Sequence, residues 1–416
     1  MQNAVRRTFT SLAVRNFRLY FIGQGISLCG SWMRMVALSW LVLQLTHSGT
    51  QLGLVTAAQF LPVLLLGVFG GVIVDRTDNK RLLVYTQIGF GIISLVLGLL
   101  VLSHMIDLWM VYVVSVISGL ITVLDNPARQ TFVVQMVGEK QLKNAVTLNS
   151  TIVNMARIIG PSIAAGLIAG VGIGWCFIID AGTFVAVLTA LLMMRRSDLT
   201  HVERAPRAPG QLRAGLHYAR TTPALRTTLV MMLIIGTFAY EFPVVLPLFA
   251  TVTFHGDATT YALMTSAMGL GAVIGGLYSA GRVATDLRRL IIVAVLFGIS
   301  IIVTALSPNL IVGLILLIFV GMLSVLFISL GNTTLQLTSE PQMRGRVMAL
   351  WSIAFQGTTP IGGPIIGAIA DRSNPRFGLI VGGISAVIAA GIGVFVSGYK
   401  LPSRGGTKIT PDMPQG

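Results

Sequence analysis

Twelve apolar runs separated by short polar connections restrict what this sequence can become. They occupy 17–45, 52–74, 82–103, 108–126, 144–170, 173–194, 226–253, 258–280, 289–306, 310–337, 346–370 and 377–398. A helix needs about 20 apolar residues to cross a bilayer core, and in lipid only a helix or a closed barrel satisfies its own backbone. Hydrophobic residues make up 54% of the chain and charged residues only 10%, too little charge to cover a water-exposed surface. The chain is expected to be an all-α polytopic membrane protein whose partner is the lipid bilayer. The abundant glycines (46 of 416) suit helices that pack closely in lipid. The first run is too long for a cleaved signal peptide and is expected to remain as a span.

The bases set an expected orientation. With the N-terminus placed inside, 25 of the 29 Lys and Arg residues fall on the inner side. Arg372 and Arg376 fall outside, and Arg34 and Arg157 lie within spans. Such a bias places both termini in the cytoplasm. It also accounts for the net charge of +15 without a nucleic-acid partner, since no basic patch is interleaved with aromatic residues. Cys29 and Cys176 both have apolar surroundings and imply neither a disulfide framework nor a metal site. His47, His104 and His255 fall in outer connections, and His201 and His217 in the middle linker, with no ligand spacing among them. No glycine loop is followed by a phosphate-binding lysine. Neither an enzyme nor a cofactor is expected.

The longest polar stretch, 195–225, divides the chain into an N-terminal six-helix unit (1–194) and a C-terminal one (226–398), followed by a cytoplasmic tail (399–416). The linker holds Pro206 and Pro209, and its 211–220 part reads as an interfacial amphipathic helix. The halves repeat each other. Gly160-Pro161 answers Gly363-Pro364, Gly119 answers Gly321, Lys80-Arg81-Leu82 answers Arg288-Arg289-Leu290, and His47 answers His255. Two like six-helix bundles related by an axis along the membrane normal are one of the standard transporter architectures.

Gly71-x-x-x-Asp75-Arg76 followed by Lys80-Arg81 resembles the loop between spans two and three of the major facilitator superfamily. Trp40-Leu41-Val42 with Leu45-Thr46, Asp125-Asn126-Pro127-Ala128-Arg129-Gln130, and Ala156-Arg157-Ile158-Ile159-Gly160-Pro161 resemble the bacterial group of enterobactin exporters and macrolide-efflux proteins. The resemblance covers essentially the whole chain. It implies the major facilitator fold in a bacterial inner membrane, a monomer, and secondary active export of a small molecule, often driven by proton entry. The sequence departs from many drug–proton antiporters of the superfamily in having Ser115 where they carry an arginine, four residues before Gly119.

Charge inside a bilayer costs about 2.5 kcal/mol or more per residue, which makes each such residue a functional candidate. Arg34 and Glu241 lie near the middle of spans one and seven, at nearly equivalent places in the two halves. They are expected to face a central cavity as a switchable pair, or as a permanently neutralised one. Asp180 in span six is read as a structural carboxyl or as a proton site. Arg157 is read as a partner for Asp125 or for an anionic substrate group. Asp125 reads as a helix cap, since Asp-Asn-Pro is a good helix start, or as part of a cytoplasmic gate. Pro243 and Pro247 are expected to kink span seven. Gly160, Pro161, Gly363 and Pro364 are expected to serve helix packing or hinging.

Asp75, with Gly71, Arg76, Lys80 and Arg81, is expected to form a cytoplasmic gate. Its carboxylate would sit at the positive N-terminal end of span eleven, and the bases would bridge to Glu139 or Glu340. The second half keeps Gly275 and Arg288-Arg289 but has Val283 in the place of Asp75. The functional expectation is a transporter exporting a small amphipathic molecule, drug-like or siderophore-like, by alternating access in exchange for protons. A facilitator or importer of a polar metabolite, or a non-transporting scaffold or sensor, remains open at the level of sequence.

Overall fold

The computed structural model describes residues 10–200, 211–280 and 287–397, with the side chains of a few of these, Asp75 among them, outside the described set. Apart from turns and two short 3-10 segments, the described chain is helical. The first half comprises α1 (Arg15–Thr46), α2 (Gly49–Arg76) and α3 (Asn79–Leu102). It continues with α4 (Leu108–Gly138), α5 (Asn144–Gly170) and α6 (Ile173–Met193). A linker helix, α7 (Gln211–Thr221), leads to the second half: α8 (Pro223–Phe238), α9 (Phe242–Leu248), α10 (Ala258–Ala280), α11 (Leu287–Ala305), α12 (Leu310–Thr338), α13 (Pro341–Gln356), α14 (Thr359–Arg372) and α15 (Pro375–Ser397).

Eleven helical stretches among the described residues are long and apolar enough to cross a membrane. The remaining expected span, the eleventh, is divided into α13 and α14 at Gly357-Thr358, just before Pro360. Its expected start at 346 also moves, to Pro341. The seventh is divided too: α8 stops at Phe238, α9 restarts after Glu241, and a π-helical turn over Phe249–Thr253 follows Pro247. Proline has no N–H and its ring crowds the carbonyl one turn back, so Pro243 favours a break at Ala239, although Pro127 is accommodated within α4. Between α4 and α5 the chain turns at Gly138, whose φ of 67° and ψ of 174° suit only glycine.

Short caps make the tight connections. Ser48, Asp78 and Asn309 each accept a hydrogen bond from the backbone N–H three residues on, at the starts of α2, α3 and α12. His47 and His255 both adopt a left-handed backbone (φ 54° and 51°), so the repeat seen in sequence is also a repeat of conformation. His104 does the same at φ 57°.

The helices pair alike in both halves. In the first, α2 lies on α4 and α3 on α6; in the second, α10 lies on α12 and α11 on α15. The paired glycines explain the first of these matches. A Cβ on Gly119 would collide with the Gln59 carbonyl of α2, and one on Gly321 with the Met268 carbonyl of α10. Large apolar side chains such as Leu277 and Phe395 remain on the outer surface, as lipid-facing positions require.

The halves meet mainly along two contacts, α2 with α14 and α5 with α10, with smaller ones of α1 and α2 on α9. We call the end carrying α7 the linker face and the end carrying His47 and His255 the far face. Toward the far face, α2 and α14 approach through glycine. A Cβ on Gly53 would strike the Gly363 carbonyl, and one on Gly367 the Gly49 carbonyl. Toward the linker face, Leu65, Phe69 and Ile73 of α2 are exposed.

α7 is more than an interfacial helix. Gly215 lies against Arg346 of α13, and the Tyr218 hydroxyl accepts a hydrogen bond from the Glu340 N–H. Replacing Gly119 or Gly321 by valine must push two backbones apart. Each single variant is expected to cost about 1–3 kcal/mol, read as a fall of several degrees in thermal unfolding of the detergent-purified protein, whereas Gly166→Val, where a Cβ meets nothing, should leave it nearly unchanged.

Candidate functional site

The buried charges fall into separate groups, and the pairing differs from the expected one. Arg34 does not meet Glu241. Its Nε lies 2.9 Å from Asp180 Oδ2, and Asp180 is fully buried. Ser94 of α3 donates to the same oxygen at 2.7 Å. Gly30 leaves room for this group, since a Cβ there would stand 2.6 Å from Asp180 Oδ1. The result ties α1, α3 and α6 together. The physical reason is rotation about the helix axis. α1 turns Arg34 toward α6 of its own half, where the buried Asp180 carboxylate needs a cation.

Glu241 occupies the break between α8 and α9, with only 3% of its surface exposed. Its backbone carbonyl accepts from the Val244 and Val245 N–H groups, both at 3.1 Å, and so starts α9. Its carboxylate is directed at α14. A Cβ on Gly362 would lie 3.0 Å from Oε1, and one on Gly363 3.3 Å from Oε2. Thr359 is a hydrogen-bonding neighbour, but Oε1 is buried without a partner. No base is paired with Glu241 among the described ion pairs. The acid therefore touches the glycine pair through which α14 meets Gly53 of α2.

Beside it lies a cavity of about 220 Å³, lined by Trp32, Arg34, Met35 and Ser39 of α1, Thr56, Gln59 and Phe60 of α2, and Pro243. Gly160 of α5 sits on the α1 backbone at Cys29 and Trp32. One turn earlier, the Arg157 guanidinium stacks over the Trp32 ring, 5.0 Å from its centroid. On the second-half side, Tyr240 donates to the Ser324 carbonyl at 2.8 Å and meets Phe355 edge-on.

At the linker face, three expectations are corrected. Asp125 does not cap a helix, because α4 runs unbroken through Pro127. It pairs with Arg129 one turn on and accepts from Thr86 and Gln87 of α3, so it is not Arg157's partner. Lys80 forms no ion pair with Glu340 among the described residues; its ammonium donates to the Met194 carbonyl at 2.9 Å and closes the end of α6. Arg81 lies 3.8 Å from Asp78, which also faces Arg196. Gly71 is buried within α2 and Arg76 is exposed. The side chains of Asp75 and Glu139, together with Val283, the 201–210 part of the linker and the 399–416 tail, lie outside the described residues.

One functional contact escaped sequence reasoning. Asp371, at the end of α14, accepts from Ser48 Oγ (2.7 Å), Gly49 N–H (2.6 Å), Thr50 N–H (2.8 Å) and Thr50 Oγ1 (2.7 Å). It caps the N-terminus of α2 from the opposite half. The clue available was an acid in the last turn of a helix, where it opposes its own helix dipole and suits another's N-terminus.

A family model described as transmembrane secretion effector matches residues 6–411. The chain is 22% identical to a Staphyloferrin A transporter of Staphylococcus aureus, across 91% of this chain and 96% of that protein. It is 26% identical to the enterobactin exporter EntS of Citrobacter koseri (90% and 92%). It is 25% identical to the multidrug efflux pump Tap of Mycolicibacterium fortuitum (83% and 87%). In fold it resembles a bacterial homologue of the lysosomal transporter Spinster in an inward-facing, unoccupied conformation, with TM-score 0.72, 14% identity, and 92% and 96% coverage. A POT family transporter superposes with TM-score 0.75 at 12% identity, with 92% and 96% coverage.

Two outcomes follow from the pairings. Asp180→Ala leaves Arg34 buried without its anion and should cost about 3–5 kcal/mol, whereas Arg34→Leu with Asp180→Leu should recover most of it, both read by thermal unfolding. Asp371→Ala should loosen the far face, raising several-fold the rate at which a cysteine placed at Thr56, on the cavity wall, reacts with a membrane-impermeant maleimide applied from that face.

Proposed function

Because the chain belongs to the transmembrane secretion effector family of major facilitator transporters, we propose that it exports a small amphipathic molecule by alternating access in exchange for protons. The charge bias supports a cytoplasmic linker face. On that assignment, the glycine contacts and the Asp371 cap close the outer side, so the arrangement described is inward-facing.

The observation that carries proton exchange is Glu241. It is a buried acid with no basic partner among the described residues, placed at a helix break and against the glycines that join the halves. An isolated carboxylate away from water is tolerated in its neutral form, and its charged form demands hydration or a cation. The protonated acid suits the closed α2–α14 contact. Loss of the proton favours separating α14 from α2 and admitting outer water. The break at Tyr240-Glu241 gives α9 freedom to move with α14, as interrupted helices do in transporters. Arg34–Asp180 holds α1 rigid within its own half while this happens.

The test uses protein reconstituted in liposomes with an imposed pH gradient and a panel of amphipathic compounds. Wild type should show gradient-dependent flux outward relative to the cytoplasmic face. Glu241→Gln should fold normally, lose at least about 90% of that flux and lose exchange of compound across the membrane with it, because the permanently neutral side chain keeps the far face closed. Flux in the opposite direction would identify an importer, absence of any flux a scaffold, and unchanged flux in Glu241→Gln would remove the acid from coupling.

A further inference from the structure

The charges near the cavity are unevenly matched: Arg34 lines it, and Arg157 adjoins it through Trp32. Arg34 is neutralised from behind by Asp180. Glu241 turns its carboxylate to α14. Arg157, however, is in no ion pair among the described residues, and its Nε is buried without a hydrogen-bond partner. The rest of its side chain stays partly accessible. An arginine at this depth is costly unless it is paired or hydrated, and the Trp32 face offsets only about 0.5–2 kcal/mol of that.

The position is built rather than incidental. Gly160 brings α5 onto α1 at Trp32, and Gly269 of α10 rests on the Arg157 carbonyl, so the residue stands where the two halves meet. Trp32 itself lines the cavity, whose other walls are mainly apolar. A planar guanidinium on an indole, beside an apolar wall, matches a planar anionic group attached to an apolar body.

We propose that Arg157, held on Trp32, is a substrate-anion site, and that the transported molecule is an amphipathic organic anion carrying a carboxylate or an acid of similar geometry. The inference rests on the cavity being the transport site. Binding the anion there supplies the missing counter-charge at the junction of the halves, and a cationic or neutral compound of the same shape does not.

Isothermal titration on the full-length protein in lipid nanodiscs tests this with three matched probes: 2-naphthoate, 2-naphthamide and 2-naphthylmethylamine. Wild type is expected to bind the carboxylate at least about tenfold more tightly than the amide or the amine. Arg157→Gln is expected to lose that preference, and Arg157→Lys to keep part of it. Equal affinities for the three probes, no binding at millimolar concentration, or an unchanged carboxylate affinity in Arg157→Gln would overturn the proposal. If Arg157→Gln does not fold, the ranking of the three probes on wild type decides. Binding without proton-driven flux would leave this site standing and remove the export reading. Export of cations with no anion binding would do the reverse.

Discussion

A charge in the apolar interior of a membrane protein must find an opposite charge, water or a reason to be neutral, and the organisation of this molecule follows from how each one does so. Asp180 finds Arg34 and a serine hydroxyl, and the three helices that supply them become one unit. Asp125 finds Arg129, Thr86 and Gln87, which joins α3 to α4 at the other end of the same half. These groups are internal to the first bundle and stiffen it. Glu241 and Arg157 are the exceptions, and both stand where the bundles meet. What is left unpaired there is what a proton or a substrate can complete.

The two bundles share their helix pairings but not their charges. The first half carries both core arginines and the two paired acids, while the second contributes Glu241 and a cluster of aromatic rings around Tyr240. The breaks also fall in the second half, within the seventh and eleventh spans, and the broken segments α9 and α14 adjoin Glu241. A stiff half and a jointed half can rock against each other with the change of shape concentrated at one acid. The far face is held by backbone contact at glycines and by one carboxylate on a helix N-terminus.

Much of the fold was legible in the sequence because depth in a membrane is written in hydropathy. Runs of apolar residues located the helices, and matching glycines, histidines and basic pairs revealed the twofold repeat. Rotation about the helix axis is not written so plainly. Arg34 and Glu241 were expected to face one another across the cavity, yet Arg34 faces α6. Asp125-Asn126-Pro127 looks like a helix start because a proline suits a first turn, yet apolar residues on both sides carry α4 straight through it. Lys80 seemed free to reach an acid and is taken up by a carbonyl at the end of α6. Asp371 was invisible because its partners, two backbone N–H groups and two hydroxyls at the start of α2, lie in the other half of the chain, and no spacing in the sequence joins them.

The central claim is that the proton on Glu241 holds the far face closed. Its most direct test is the distance between spin labels at Met105 and Leu306, both exposed at that face and in opposite halves, measured by pulsed electron resonance in nanodiscs after replacement of Cys29 and Cys176. The distribution should be short at acidic pH and gain a longer component as pH rises, while Glu241→Gln should stay short throughout. A distribution that does not respond to pH, or a Glu241→Gln variant that responds as wild type does, would contradict the account.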